Sequence, residues 1–490
     1  MSADGRNVLF VVMDTVRKDH LTPYGYDRPT TPGLERFAKE ARVYENAVAQ
    51  APWTLPSHAS MFTGLYPSQH AATQEDPYLA EEIHTLAESV AAAGYATACF
   101  SSNAWITPYT RLTAGFDTQD NFFEVLPGNL LSGHLATLWR RLNDSDRLRG
   151  GADRLVELGN RLHERLAGGD GASSKTPAVI DRTKRFIEAN DRFFAFLNLM
   201  DAHLPVYPPA GPRERFAPGV DPAAVCQNSK AYNSGARDIS AAEFGDIRRL
   251  YDAEINHIDR ELTRLFDWLR ETDRWDETTV IVCADHGELH GEHGLYGHEF
   301  GLYDPLVNVP LLVADPALEA GRDSQTVELL DLYHTVLDVT GAEPLGEPLA
   351  RPRSLRAAKY RDFEGAESGL VEYHRPVVEL RQLESKAAAA GLTIDADSRF
   401  YSRMRAIRRP DGKLIHNERI ADEAYRLDED PGETTPRDAD ADPLFEALND
   451  RLAAFESAMG GWESIDGDGR GTAEMSADAK ARLQDLGYMD

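Results

Sequence analysis

The sequence predicts an α/β fold: a large, mostly parallel central sheet flanked by helices, followed by a smaller C-terminal α+β subdomain. Two observations carry this. Nearly continuous apolar runs of strand length recur at 7–13, 95–101, 193–200, 278–284 and 308–314, as strands buried on both faces require. Helix-length stretches stand between them at 33–42, 79–93, 242–273 and 325–340, and that alternation is the α/β pattern.

The stretch 242–273 shows its character most clearly. Ile247, Leu250, Ile255, Ile258, Leu262, Leu265, Phe266 and Leu269 fall at helical spacing, which gives one apolar stripe to lay on the sheet. Residues 125–178 read as a helical insertion at the substrate entrance. They are rich in Arg, Leu and Gly and close on Gly168-Gly169-Asp170-Gly171, a turn-forming run. Past about 345 the pattern loosens, with short strand-like pieces near 401–408 and 413–416 and a terminal helix at 443–457. The expected division is therefore a catalytic domain over 1–345 and a smaller subdomain over 346–490 with an acidic tail, which from about 461 is rich in Gly, Asp and Ser. No internal repeat is present.

Composition removes several classes of function. A hydrophobic content of 42% over 490 residues is that of a globular enzyme rather than a disordered chain. No apolar run reaches the roughly 20 residues of a membrane span. The chain enters its first strand at Asn7 with no secretory apolar segment before it, so the expected location is cytoplasmic. A net charge of −29 spread along the chain opposes nucleic-acid binding. Together with the scarcity of lysine, it reads as the surface of a protein from a salt-rich cytoplasm. The three cysteines, Cys99, Cys226 and Cys283, have neither disulfide-framework nor zinc-site spacing.

Chemistry-bearing residues gather where the apolar runs end. In an open α/β sheet ligands collect outside the carboxyl ends of the strands. Asp14 follows Val8–Met13, and Asp285-His286-Gly287-Glu288 follows Val280–Ala284. Asp14 alone reads equally as a hard oxygen ligand or as a cap of the next turn. Adjacent Asp285 and His286 can turn to one ion, and histidine moves the choice of metal from calcium towards manganese or zinc. His290, His293 and His298, interleaved with glycines, are hard to explain as core packing.

Thr54-Leu55-Pro56-Ser57-His58 places a hydroxyl at a helix start with a proline just inside. There, free backbone N–H groups favour a tetrahedral anion. Thr54 is then either a metal-activated nucleophile, with Ser57 and His58 near the ester, or simply an N-cap. His203, after the strand 193–200, either protonates a leaving oxygen, hydrogen-bonds a nonbridging one or is simply a satisfied surface residue. Ser101-Ser102-Asn103 forms either a polar substrate edge or a simple turn.

These residues resemble those of the sulfatase family, within the alkaline phosphatase superfamily. Asn7–Asp14 looks like the family's first strand and its metal aspartate. Thr54–His58 through Thr63-Gly64 is similar to its nucleophile segment, commonly Cys-x-Pro-Ser-Arg. Gly94–Thr97, Gly115–Asp117, Asp201–Pro205, Tyr251–Glu254, Asp285–Gly287, Tyr303, Val309-Pro310, Asp331–Thr335 and Tyr425–Glu433 match further landmarks in order. The resemblance implies an alkaline-phosphatase-like fold and metal-dependent sulfate-ester hydrolysis.

Its departures are specific. Thr54 cannot become the formylglycine that conventional members make from cysteine or serine. His58 stands for an arginine, Thr15 for a second metal aspartate, Ser102 for a lysine and His286 for an asparagine, while His298 falls near another lysine. The set Asp14, Thr54, Asp285 and His286 is instead similar to that of lipoteichoic acid synthases, phosphotransferases with a threonine nucleophile. Phosphonate monoester hydrolases are a further neighbour.

The expectation is a sulfatase-like hydrolase of small-molecule or glycan sulfate esters. One divalent cation (Mn, Zn, Ca or Mg) is held by Asp14, Thr54, Asp285 and His286, and Thr54 attacks. His203 or His298 protonates the departing oxygen, His58 helps to offset the missing cations, and Ser57 and Asn103 contact substrate. Two alternatives stay open: a phosphoryl-ester hydrolase or phosphotransferase with the same site, and a catalytically silent glycan-binding relative.

Overall fold

The computed structural model describes residues 5–74, 76–121, 174–346, 353–357, 367–439 and 442–460. The predicted insertion at 125–178 lies mostly outside them, as does the tail from 461.

Eight strands form the central sheet: β1 (Asn7–Met13), β2 (Arg42–Val48), β3 (Ala96–Ser101), β4 (Thr118–Asn121), β5 (Phe193–Leu199), β6 (Thr278–Cys283), β7 (Asn308–Ala314) and β8 (Gly321–Glu328). Their spatial order is β8-β2-β7-β6-β1-β5-β3-β4. Every neighbouring pair is parallel except those that β7 makes with β2 and β6. The sheet is therefore mostly parallel, as the apolar runs predict.

Strand β1 sits at the centre and is buried along its whole length. Each of its large apolar side chains contributes about 1.5–3 kcal/mol by leaving water. The helix Ala241–Glu271 packs Ile255, Ile258, Leu262, Leu265 and Leu269 into the same core, on the stripe read from the sequence.

Three expected elements differ: the helix expected over 33–42 ends at Phe37, and Arg42 opens β2. The stretch 325–340 is not one helix: β8 runs to Glu328 and the helix begins at Asp331. Gly321–Glu328 is polar because it forms a sheet edge, where only one side of the strand needs a partner. The helix expected over 79–93 is confined to Leu86–Ala92, with Thr85 and Glu88 closing a capping box at its start.

A second, antiparallel sheet follows, with strands β9 (Gly369–Tyr373), β10 (Met404–Arg408), β11 (Lys413–Asn417) and β12 (Glu423–Tyr425) in that order. One face, with Ile407, Leu414 and Ala424, takes Phe445, Leu448 and Leu452 of the terminal helix Pro443–Met459. The other, with Met404, Ala406 and Ile415, packs on Leu306, Val307 and Val48. Asp304 binds Arg408 at 2.9 Å and Lys413 at 2.7 Å, so charge pairs as well as apolar contacts fix this sheet against the first.

Candidate active site

The register of the central strands brings the site together. Val12 lies opposite Cys283 on one side and Asn198 on the other, so the residues just beyond these strand ends emerge side by side. Asp14, Asp285 and His286 each offer a ligand atom there, all within 4.8 Å of one another and all fully buried.

The Asp14 turn is held in a conformation that few residues adopt. Thr15 has φ of 64°, unusual for a β-branched residue. Its N–H donates to Asp285 Oδ1 at 3.2 Å and its hydroxyl to Asp14 Oδ1 at 2.8 Å. Tyr251 donates its hydroxyl proton to the Thr15 carbonyl at 2.7 Å and accepts the Arg17 N–H at 2.8 Å. On the other strand end, Gly287 lies so close to the Pro305 carbonyl that a Cβ would come within 1.9 Å of it. Only glycine fits after His286.

The side chains fit a divalent cation. His286 Nδ1 bonds the Gly287 carbonyl at 2.9 Å. That bond fixes the proton on Nδ1 and leaves Nε2 with its lone pair. Asp285 Oδ2 has no hydrogen-bond partner among the described residues. Burial and the neighbouring Asp14 carboxylate push the Asp285 carboxyl well above its usual range. At Asp14 burial acts in the same sense, but the carboxyl is nevertheless held low, in part by the hydrogen bond from the Asn198 amide. Two buried carboxylates in contact repel one another, and a cation between them removes that cost.

Thr54 meets this group from the side. It is the first residue of the helix Thr54–Thr63, whose N-cap is Trp53, so its hydroxyl is not occupied in capping. Thr54 Oγ1 lies 3.5 Å from His286 Nε2 and accepts from Asn103 Nδ2 at 3.3 Å. The same Asn103 amide donates to Asp14 Oδ2 at 2.9 Å. Asn198, an amide inside an otherwise apolar strand, also donates to Asp14 Oδ2, at 2.9 Å.

With this geometry in place, the relationship to known proteins becomes specific. The sulfatase family model matches residues 6–342. The chain belongs to the sulfatase family. It is 24% identical over 361 residues to the choline-sulfatase of Rhizobium meliloti, covering 70% of this chain and 69% of that one. It is 27% identical over 387 residues to the multifunctional alkaline phosphatase superfamily protein PehA of Trinickia caryophylli, covering 69% and 74%. Its fold is similar to that of the phosphonate monoester hydrolase of Agrobacterium radiobacter, with a TM-score of 0.65 at 20% identity over 93% and 96% of the two chains. This sulfatase-family chain is thus an ester hydrolase with an alkaline-phosphatase-like fold. No helix among its described residues is long and apolar enough to cross a membrane.

The remaining residues singled out in the sequence take different places in this sulfatase. Ser57 is fully buried and donates to the Asp285 carbonyl at 2.8 Å, which bolts the helix to the ligand loop. His58 is fully buried too, with Nδ1 on the Thr54 carbonyl at 2.9 Å. Burial depresses its pKa to about 4, so it is neutral and adds no positive charge.

The histidine-rich run divides. His290 packs on Tyr251 with ring centroids 4.7 Å apart, and His293 stacks on Tyr303 at 3.5 Å. Only His298 turns to the site, its ring centroid 4.6 Å from that of His286 and 5.1 Å from that of His203. His298 is buried, yet Glu299 and Glu288 raise its pKa to about 9, making it a cation beside the ligand set. Burial and His298 keep His203 neutral, its pKa lowered.

A narrow cleft opens on Thr54 and His298, lined also by Trp53, Trp105, Gln74, Glu299 and Glu379. Sequence reasoning passed over these residues and Asn198. They come from separate segments without common spacing, and only the polar Asn198 within an apolar run was a readable signal.

Proposed function

We propose that this protein hydrolyses sulfate esters by nucleophilic catalysis with Thr54, at a site where Asp14, Asp285, His286 and Thr54 hold one divalent cation (Mn, Zn, Ca or Mg). The observation that carries this reading is the position of Thr54 Oγ1, 3.5 Å from His286 Nε2 and sharing the Asn103 amide with Asp14. A hydroxyl with no capping duty beside three ligand groups suits an activated nucleophile. A cation there would lower the hydroxyl pKa and polarise the ester's nonbridging oxygens.

The chain's own residues supply the rest. Asn103 donates to Thr54 Oγ1, so the hydroxyl oxygen is oriented before substrate arrives. Thr54 loses its proton to solvent and attacks sulfur, and the bond from sulfur to the alcohol oxygen breaks. His298 is protonated at neutral pH and lines the same cleft as Thr54, so it gives a proton to the departing oxygen. His203, neutral beside it, is the weaker choice of acid. Water then cleaves the threonyl ester and restores the hydroxyl.

A phosphoryl-ester hydrolase or phosphotransferase at the same groups is the second reading. It is favoured by threonine at the nucleophile position and by His58, neutral where a cation is usual in the family. A silent glycan-binding protein is opposed by the retention of Asp14, Asp285 and His286 around one point.

Side-by-side assays of an aryl sulfate, a phosphate monoester and a phosphodiester with Mn, Zn, Ca and Mg separate these readings. Sulfate-ester turnover that dominates supports the proposal. Dominant phosphoryl turnover shifts it to the second reading, and stoichiometric metal with no turnover supports the silent protein.

A further inference from the structure

His203 is held in place by contacts behind it. It stands in the segment 201–207 that follows β5, and its Nδ1 bonds the Leu204 carbonyl at 2.5 Å. That bond fixes the proton on Nδ1 and leaves Nε2 as an acceptor, on a ring whose centroid is 5.1 Å from that of His298. Three separate parts of the chain pin this segment. At its start, Asp201 Oδ2 accepts the hydroxyl of Thr176, the first residue of the helix Thr176–Ala189. Past His203, Gln227 makes two bonds to Val206: its Oε1 accepts the Val206 N–H at 3.0 Å and its Nε2 donates to the Val206 carbonyl at 3.1 Å. At its end, the Tyr207 N–H donates to the carboxyl of Glu254.

Glu254 is the contact that packing does not explain. It belongs to the helix Ala241–Glu271 and is only 4% exposed, where a glutamate is rare unless a cation pairs with it. No cation pairs with it among the described residues. Its neighbours one turn away on the same face, Leu250 and Ile258, are apolar and buried, so a residue that only filled the core here would be apolar too. Burial and the nearby Asp201 push the Glu254 carboxyl well above its usual range. An uncharged carboxyl still offers its carbonyl oxygen to an N–H.

We propose that Glu254 is a positioning residue for His203: by taking the Tyr207 N–H it fixes the segment 201–207, and with it the place of the imidazole beside His298. The consequence for turnover rests on the reading of this site as an ester hydrolase; the hold on the imidazole does not.

The test uses the full chain with Glu254→Gln, which keeps a neutral acceptor, and Glu254→Leu, which removes it. The His203 Cε1 proton resonance, assigned through His203→Gln, reports the place of the ring, and kinetics on an aryl and an alkyl sulfate report its effect. In Glu254→Leu the resonance shifts and kcat falls about 10–100-fold, more for the alkyl ester, whose departing oxygen needs a proton, while KM changes less. Glu254→Gln restores the resonance and kcat. If the leucine variant does not fold, Glu254→Asp, whose carboxyl stands one methylene farther from Tyr207, is expected to give the same shift. An unmoved resonance in the folded variant, or a glutamine variant as impaired as the leucine or aspartate one, overturns the positioning role even if both esters are hydrolysed. A resonance that moves in that variant and returns in the glutamine variant, with neither ester hydrolysed by the native chain, upholds the positioning and refutes the ester-hydrolysis reading instead.

Discussion

Asn103 reaches Thr54 and Asp14 with a single amide, 3.3 Å from the hydroxyl oxygen and 2.9 Å from the carboxylate. A residue read from the sequence as a substrate contact thus ties the proposed nucleophile to a proposed metal-ligand carboxylate. Replacing it with leucine keeps the volume and removes both of these hydrogen bonds, together with the one that Asn103 Oδ1 accepts from the Trp105 N–H at 2.8 Å. Asn103→Leu is expected to lower kcat about 10–100-fold, the usual cost of losing a residue that orients a metal ligand, with a smaller effect on KM. Steady-state kinetics with the best ester of the panel checks this. Unchanged kcat would remove Asn103 from the machinery.

Tyr251 acts one step further back. Its hydroxyl satisfies both the Thr15 carbonyl and the Arg17 N–H and so keeps Thr15 at its positive φ. Tyr251→Phe leaves two buried backbone groups without partners. The expected loss is about 1–3 kcal/mol in stability, together with weaker metal binding. Denaturant unfolding and metal titration measure the two effects separately.

His298 sets an alkaline limit. Its pKa is raised to about 9 because Glu299 and Glu288 outweigh its burial. A raised value means that the proton is present at neutral pH and lost as pH rises through about 9. As the acid for the leaving oxygen, His298 then gives a kcat profile that falls over that interval. In His298→Gln the limb disappears and kcat is low throughout, most severely for esters with poor leaving groups. A limb that persists in the variant would assign the acid elsewhere.

His374 offers a test of stability away from the chemistry. It is buried, neither ring nitrogen has a partner among the described residues, and burial followed by Arg405 and Arg403 lowers its pKa to about 3. A depressed pKa means that the unfolded chain binds the proton first as pH falls below the ordinary histidine value of about 6.5. Stability is therefore fully present above that pH and lost progressively towards pH 3. The slope is about 1.4 kcal/mol per pH unit. His374→Leu is expected to flatten this dependence, gaining about 1 kcal/mol over the native chain near pH 5.5 while matching it more closely at pH 8.

Much of this was legible because buried parallel strands leave continuous apolar runs. Strands β1, β5, β6 and β7 stand where those runs place them, and the polar residues just past β1 and β6 meet because the register aligns their ends. Strand β2, Arg42–Val48, was passed over because arginine and glutamate interrupt its apolar residues. Strand β8 was merged into the helix after it because an edge strand tolerates polar side chains. At the site, spacing could not tell His298 from His290 and His293, since the fold of the glycine-rich segment decides which imidazole turns inward. The Trp and Glu walls of the cleft come from four distant segments, which no local pattern joins.

Thr54 as nucleophile is the claim that the other predictions serve. Thr54→Ala is expected to reduce turnover at least about a thousandfold while leaving the fold intact and metal binding largely so, through Asp14, Asp285 and His286. The more direct measurement is mass spectrometry on enzyme quenched during turnover. The account predicts a sulfuryl or phosphoryl adduct on the peptide that contains Thr54, absent from the alanine variant. Full turnover by that variant, or an adduct trapped on another residue, would contradict it.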